Sequence, residues 1–128
     1  SAEICLRENI GLLAYSPMAF GILSGKFLTG EAHPNARIKL FPQYTRYSSA
    51  QSTEATRLYQ EIAAKNKLTL TELSLAFIDQ QPFVTSTIIG ATSLEQLKEN
   101  INTIQVSLSD EILKAIDEVQ TIIPDPAP

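Results

Sequence analysis

Apolar positions in this chain follow two different periods, which predict short strands set between amphipathic helices. An apolar run bounded by glycine and proline predicts a strand buried on both faces at residues 11–15, and a run rich in Val, Thr and Ile predicts a second buried strand at residues 84–89. Apolar residues repeated at intervals of three and four predict helices at residues 50–65, 70–80 and 94–103 and from Ser109 onward. The order of elements therefore predicts an α/β protein.

The ends of these elements carry their own signals. Thr69 and Glu72 have the spacing of a capping box, and Pro82 ends the helix that they begin. Residues 2–8 read as the end of a helix, and residues 19–27 as a short helical turn. The segment of about residues 28–48 has no clean period and predicts a flexible loop of the length that is usually functional. Residues 124–128 predict an extended tail.

The separation of the two strands indicates that they are parallel. Roughly 70 residues with helical patterns lie between them, and only parallel neighbours need such a crossover. Two strands alone form no stable sheet, so the chain is expected to be part of a larger sheet or to complete its core with a second copy. A (β/α)8 barrel has about 250 residues and often binds phosphate in the loops after its seventh and eighth strands. Residues 1–128 predict the last two units and the C-terminal helix of one such barrel domain.

The second strand runs directly into a helix, which is the arrangement of an anion site. Gly90 follows the strand, and Ser93 and Gln96 have the spacing of a capping box that begins the helix. Unpaired backbone N–H groups and the helix dipole would then favour a phosphate group. An ordinary capped turn between a strand and a helix fits the same residues.

Composition narrows the possible functions. The chain has 128 residues, 44% of them hydrophobic, and a net charge of −4 without a Lys/Arg-rich run, which argues against nucleic acid and anionic membranes as partners. No apolar span reaches the roughly 18 residues that cross a bilayer, and no signal sequence is evident, so a soluble, cytoplasmic protein is expected. Cys5 is the only cysteine and is expected to be a buried apolar side chain, and His33 is the only histidine. No metal site is predicted.

Two motifs resemble those of a known family. Residues 13–26, LAYSPMAFGILSGK, are similar to the seventh-strand signature of the aldo-keto reductases, and residues 89–100, IGATSLEQLKEN, resemble their eighth-strand signature. The segments 37–41, 41–48 and 81–84 and the proline-rich end are similar to the Tas-like branch of that superfamily. The resemblance covers nearly the whole chain but only about the last third of such an enzyme.

The resemblance implies an NADP(H)-dependent reduction of aldehydes or ketones, with this segment holding the cofactor. The implied cofactor-binding residues are Tyr15 under the nicotinamide ring, Ser16, Pro17, Met18, Ala19 and Phe20 along the pyrophosphate, Lys26 and Arg37 as phosphate cations, Gly90, Thr92 and Gln96 at the ribose phosphate, and Glu99 and Asn100 at the adenine. Many members have an arginine where Gln96 stands, which leaves the preference for NADP over NAD open.

Most of these positions also have an ordinary structural interpretation. Tyr15 could be a core aromatic residue, Lys26 a helix-end cation, Arg37 a loop charge and Glu99 an exposed helical carboxylate. Only their joint occurrence in two matched motifs favours cofactor binding.

The resemblance assigns no catalytic residue to this chain. The acid catalyst of the family is a tyrosine aided by a lysine, an aspartate and a histidine from the first half of the barrel, and none of those motifs occurs here. Tyr44, Tyr47 and Tyr59 lack the matching neighbours, so the isolated segment is expected to be inactive and to self-associate through its uncovered strand faces. Two hypotheses follow: the cofactor-binding part of an enzyme with a small-molecule carbonyl substrate of unknown identity, or a non-catalytic dinucleotide-binding or interaction module.

Overall fold

A computed structural model describes residues 2–30, 34–43 and 45–127. Helix α1 (Ala2–Glu8) leads into strand β1 (Leu12–Tyr15), which is followed by a 3₁₀ turn at Ala19–Ser24. The remaining elements are α2 (Arg37–Leu40), α3 (Ala50–Lys65), α4 (Leu70–Asp79), β2 (Val84–Ile88), α5 (Leu94–Asn102), a second 3₁₀ turn at Thr103–Gln105 and α6 (Asp110–Ile122). The predicted strands and helices are confirmed to within a few residues.

The two strands pair in parallel, as predicted. Leu12 lies opposite Val84 and Tyr15 lies opposite Ile88, with a register irregularity between Leu12 and Leu13. The connection between them contains α3 and α4, the kind of helical crossover that parallel strands require.

The core lies between helices and not on the sheet. It is built where α3 and α4 pack together and α6 covers α3, and its buried residues are Ala63, Leu70, Leu73, Ala76, Leu108, Ile112 and Ile116. Gln80 ties the end of α4 to the segment before α6, since its amide donates to the Leu108 carbonyl at 3.2 Å and accepts from the Leu108 N–H at 2.6 Å.

The expectation that both strands are buried is wrong, and the uncovered apolar strand faces that were also expected are present. The side chains of Leu13, Tyr15 and Ile88 are 59%, 77% and 53% exposed. A two-stranded sheet lacks the neighbouring strands and facing side chains that cover a parallel sheet in a complete α/β domain. The exposed residues therefore mark the face on which a larger sheet or a second copy would pack.

Local capping explains where the longer helices begin. The Thr69 hydroxyl accepts from the Glu72 N–H at 3.1 Å, and the Thr69 N–H donates to the Glu72 carboxylate at 2.7 Å. This is the predicted capping box of α4. The Ser49 hydroxyl caps α3 in the simpler way, by accepting from the Ser52 N–H at 2.9 Å.

The segment without a period contains the short helix α2, which its composition did not predict, and its flexibility stays a prediction. His33 and Tyr44 lie outside the described residues. The end of the segment contacts the tail, because Arg46 donates to the Ala127 carbonyl at 2.9 Å and Ser49 donates to the Pro126 carbonyl at 3.0 Å. Cys5 is only partly buried. Among the described residues, no helix is long and apolar enough to cross a membrane.

Helix α3 ends in a left-handed turn in which a glycine would be more stable than the lysine that is present. Lys67 has a φ of 60°, and the bonds from the Leu68 N–H to the Ala63 carbonyl and from the Lys67 N–H to the Ala64 carbonyl form a Schellman motif. Because glycine adopts this conformation without a Cβ penalty, Lys67→Gly should raise the free energy of unfolding by about 0.5–1 kcal/mol. Ala64→Gly, within the helix, should lower it by about 1 kcal/mol. Urea denaturation of both variants checks the pair, and a loss of stability in Lys67→Gly would contradict it.

The exposed sheet face should make the 128-residue chain associate with itself. Apolar patches of this kind are normally covered in stable proteins, so we expect sedimentation to show a dimer or larger species at micromolar concentration. Leu13→Lys should reduce the association because it places a charge on that face. Ile122→Lys is the control, since Ile122 is 72% exposed on α6 and should leave the association unchanged. A compact wild-type monomer would contradict the expectation.

Candidate cofactor site

The parallel pairing brings the two sequence motifs to one edge of the sheet. Tyr15 and Ile88 are register partners at the carboxyl ends of β1 and β2. Residues 16–20 and 89–93 therefore leave the sheet from the same edge, which is where parallel α/β folds bind ligands. Tyr15 is exposed at this edge of the 128-residue chain.

The segment after β1 holds a strained turn. Of the five non-glycine residues with positive φ in the described part of the chain, three lie here: Ser16 at 57°, Ala19 at 46° and Phe20 at 57°. Short backbone bonds fix the turn, from the Ala19 N–H to the Ser16 carbonyl at 3.0 Å and from the Gly21 N–H to the Met18 carbonyl at 2.7 Å. Such conformations cost about 1–2 kcal/mol each and concentrate at functional sites.

The side chain of Lys26 lies close to this turn. Gly25 adopts a φ of 77° and closes the 3₁₀ segment with a bond from its N–H to the Ile22 carbonyl at 3.0 Å. The chain reverses there, and a Cβ built on Gly21 would lie 3.0 Å from the Lys26 Nζ atom. The Lys26 ammonium also lies 5.4 Å from the centroid of the Phe27 ring. A positive charge thus stands beside the backbone of the turn.

A cluster of an arginine and two aromatic rings joins the turn to the following loop. The Arg37 guanidinium carbon lies 5.3 Å from the centroid of the Phe20 ring. The Phe20 and Tyr47 rings meet edge to face with their centroids 5.2 Å apart. The structure therefore brings Arg37 to Phe20, two residues that the resemblance had assigned to the phosphates. Tyr47 was given no role by the sequence, because nothing in its neighbours signals a ring contact with Phe20.

Side chains at the start of α5 accept from several of its N–H groups, those of Thr92, Glu95 and Gln96, which corrects the expectation that these are unpaired. The Ser93 hydroxyl accepts from the Gln96 N–H at 3.3 Å. The Gln96 side-chain oxygen accepts from the Thr92 N–H at 2.9 Å and from the Thr92 hydroxyl at 3.0 Å. The capping box is thus altered: the glutamine bonds to the residue before the N-cap. Polar side chains occupy the positions that an anion would take, because the first N–H groups of a helix have no partners within the helix.

Glu95 completes this self-capping. Its own backbone N–H and the Ser93 hydroxyl hydrogen-bond to the carboxylate and hold the pKa of Glu95 below its ordinary value. The turn before the helix is open on the other side, since a Cβ built on Gly90 would meet nothing within 4 Å. A ligand can therefore approach the backbone at Gly90 while the helix N-terminus is closed by side chains.

Glu99 and Asn100 are held by different elements. Asn100 is buried, and its amide donates to the Gly90 carbonyl at 3.3 Å. Glu99 is exposed and accepts a hydrogen bond from the Thr69 hydroxyl of α4 at 3.3 Å. Asn100 thus joins α5 to the turn after β2, and Glu99 is not simply solvated. The part played by Thr69 could not be found from the sequence, where it is only a helix cap.

The family follows from comparison with known proteins. The model of the aldo/keto reductase family matches residues 2–121. The chain belongs to the aldo/keto reductase family. It is 42% identical over 127 residues to the protein tas of Escherichia coli, covering 99% of this chain and 37% of that protein. It is 39% identical over 111 residues to an aldo-keto reductase of Babesia bovis, covering 83% of this chain and 39% of that one.

Comparison with solved structures shows that the fold of the chain matches part of a barrel. A glycerol dehydrogenase of Gluconobacter oxydans matches the whole chain with a TM-score of 0.74 at 21% identity, and the match covers 39% of that enzyme. The fold is accordingly that of part of a (β/α)8 barrel, as the sequence predicts. The chain spans about 37% of the length of the tas relatives. In its described residues, no group of three or more His, Cys, Asp or Glu side chains could hold a metal ion.

Removing the Ser93 hydroxyl should release Glu95. We expect Ser93→Ala to raise the Glu95 pKa toward its ordinary value, because one of its two hydrogen bonds is lost. A lowered native pKa contributes stability above the unfolded pKa, and this stability disappears as the pH falls through the native pKa. The wild type should therefore lose more stability on acidification than Ser93→Ala does.

NMR titration of the Glu95 carboxyl carbon measures the change. Ser109→Ala is the matched control, because Ser109 lowers the pKa of Glu111 at the start of α6 in the same manner. It should raise the Glu111 pKa and leave that of Glu95 alone. An unchanged Glu95 pKa in Ser93→Ala would show that the hydroxyl is not its partner in solution.

Proposed function

We propose that this chain supplies the phosphate and adenosine site for NADP(H) in an oxidoreductase that reduces aldehydes or ketones. The observation that carries the proposal is the meeting of two features at one sheet edge. One is the strained turn with Lys26 beside it, and the other is the β2–α5 junction that is open at Gly90. The family of the chain supports the same assignment.

The residues present fit such a cofactor chemically. Tyr15 offers an exposed ring at the end of β1 for stacking on the nicotinamide. Ser16, Pro17, Met18, Ala19 and Phe20 form the turn along which the pyrophosphate would lie. The positive φ values of Ser16, Ala19 and Phe20 bend the backbone there. A cofactor held there would supply the hydride for the carbonyl carbon of the substrate, and an acid would supply the proton for the carbonyl oxygen.

Two cations are proposed for the phosphates. Lys26 is close to the turn already. Arg37 stacks near Phe20, from which a short movement of α2 would carry its guanidinium to the pyrophosphate. The contact with the Phe20 ring keeps the arginine near the site.

The adenosine end is assigned to the start and first turns of α5. Gly90 and the Thr92 hydroxyl would receive the ribose phosphate, with Gln96 beside them, and Glu99 and Asn100 would contact the adenine. Because Gln96 is neutral, the preference for NADP over NAD at this end would depend on hydrogen bonds more than on charge. Binding of a phosphate would require the Gln96 oxygen to leave the Thr92 N–H and hydroxyl.

The proton donor is proposed to come from outside these residues. The described tyrosines are Tyr15, Tyr47 and Tyr59. Burial and then the Asp117 charge raise the pKa of Tyr59, which opposes a role as an acid–base group near neutral pH. We therefore propose no activity for the 128 residues by themselves. A small-molecule carbonyl substrate and a cytoplasmic location belong to the same proposal for the complete protein.

Lys26→Ala in the complete protein tests the phosphate site. Loss of one charge-assisted hydrogen bond of about 1.5–3 kcal/mol should raise the NADPH dissociation constant roughly ten- to hundredfold at low salt. The effect should shrink at high salt, which screens an exposed pair. Calorimetry at two salt concentrations measures both.

Lys114→Ala provides the control, since Lys114 is an exposed lysine on α6. It should bind NADPH like the wild type. If Lys26→Ala also binds like the wild type at low salt, Lys26 is a helix-end cation without a role in the phosphate site.

A further inference from the structure

The hydroxyl of Thr69 makes two hydrogen bonds at once. As the N-cap of α4 it accepts from the Glu72 N–H at 3.1 Å. It also donates to the Glu99 carboxylate of α5 at 3.3 Å. A hydroxyl has one proton to donate and two lone pairs to accept with, so both bonds can exist together.

The second bond is not needed for capping. An N-cap uses a lone pair of the hydroxyl oxygen, and Glu72 completes the box by accepting from the Thr69 N–H at 2.7 Å. The proton of the hydroxyl takes no part in starting the helix. The hydrogen bond that this proton makes to α5 therefore acts on the Glu99 carboxylate.

The Glu99 side chain needs a contact with a residue outside α5 to be held in one rotamer. It is exposed on α5, and a glutamate side chain on a helix surface samples many rotamers whose freedom must be lost when it binds a ligand. Its neighbour Asn100 is already fixed by its bond to the Gly90 carbonyl. The bond from Thr69 holds the Glu99 carboxylate in a corresponding way from α4.

We propose that Thr69 is a positioning residue that orients the Glu99 carboxylate toward the exocyclic amino group of the adenine ring. This inference rests on the proposed function, which assigns the adenine to Glu99. A carboxylate only accepts hydrogen bonds and so matches an amino group. It repels the carbonyl oxygen that hypoxanthine has at the same position. Thr69 thereby contributes to base selectivity from outside the binding site.

The test compares NADPH with its hypoxanthine analogue on the complete protein, with affinities measured by fluorescence titration. The preference for NADPH is the ratio of the two dissociation constants. Thr69→Ser keeps both hydrogen bonds and should keep the preference. Thr69→Asp and Thr69→Gly keep an acceptable N-cap but lack the donor, and both should lower the preference by about three- to tenfold.

Two measurements separate this role from a structural one. Melting temperatures of the three variants should stay close to that of the wild type, since each retains a favourable cap. Thr69→Ser must also keep the preference for NADPH that Thr69→Gly loses. If the Thr69 variants acted only by destabilising α4, the preference would not depend on the hydroxyl donor in this way. A preference that is lost equally in Thr69→Ser, or kept in both Thr69→Asp and Thr69→Gly, overturns the inference.

Glu99→Ala distinguishes the inference from the function on which it rests. If Glu99→Ala abolishes the preference for NADPH and the Thr69 variants do not change it, the adenine site stands and the positioning role is wrong. If Glu99→Ala keeps the preference, the assignment of the adenine to Glu99 is itself wrong, and the role of Thr69 fails with it.

Discussion

The parallel pairing of β1 with β2 is the constraint on which the site depends. Leu12–Tyr15 and Val84–Ile88 lie far apart in the sequence, and their pairing sets the carboxyl ends of both strands at one edge. The strained turn, Lys26 and the start of α5 all follow from these ends. The crossover between the strands contains α3 and α4, which pack in the core with α6, and α4 also contacts β2. An error of one residue in the register would turn every strand side chain to the opposite face.

The two parts of the candidate site, the turn after β1 and the start of α5, are held in place by different kinds of contact. The turn after β1 is fixed by its backbone, with left-handed residues and short hydrogen bonds that leave Lys26 beside it. The start of α5 is fixed by side chains, with Gln96, Ser93 and Glu95 taking up the helix donors. A rigid backbone surface can accept a ligand without change, whereas side-chain caps have to move when a ligand replaces them.

Periodicity and capping signals predicted much of the fold, because local physics decides those features. The bounds of α3 and the Thr69–Glu72 box follow from spacing alone. Burial of the strands was predicted wrongly, since apolar runs report what a complete sheet would cover and not what this chain covers. The ring contact of Tyr47 with Phe20 and the bond of Thr69 with Glu99 join residues distant in sequence. No local pattern encodes such contacts, so only the structure gives them.

The self-capped start of α5 changes the thermodynamics of whatever binds there. An anion arriving at Thr92 gains donors that Gln96 must first give up, so the number of hydrogen bonds at the helix end is nearly conserved. Such an exchange yields little net enthalpy at that point. Under the proposed function, the free energy of binding would come mainly from the ammonium of Lys26 and the exposed ring of Tyr15. The N-terminus of α5 would then determine which ligand shapes and hydrogen-bond geometries are accepted. Charge and stacking at the carboxyl end of β1 would supply the affinity.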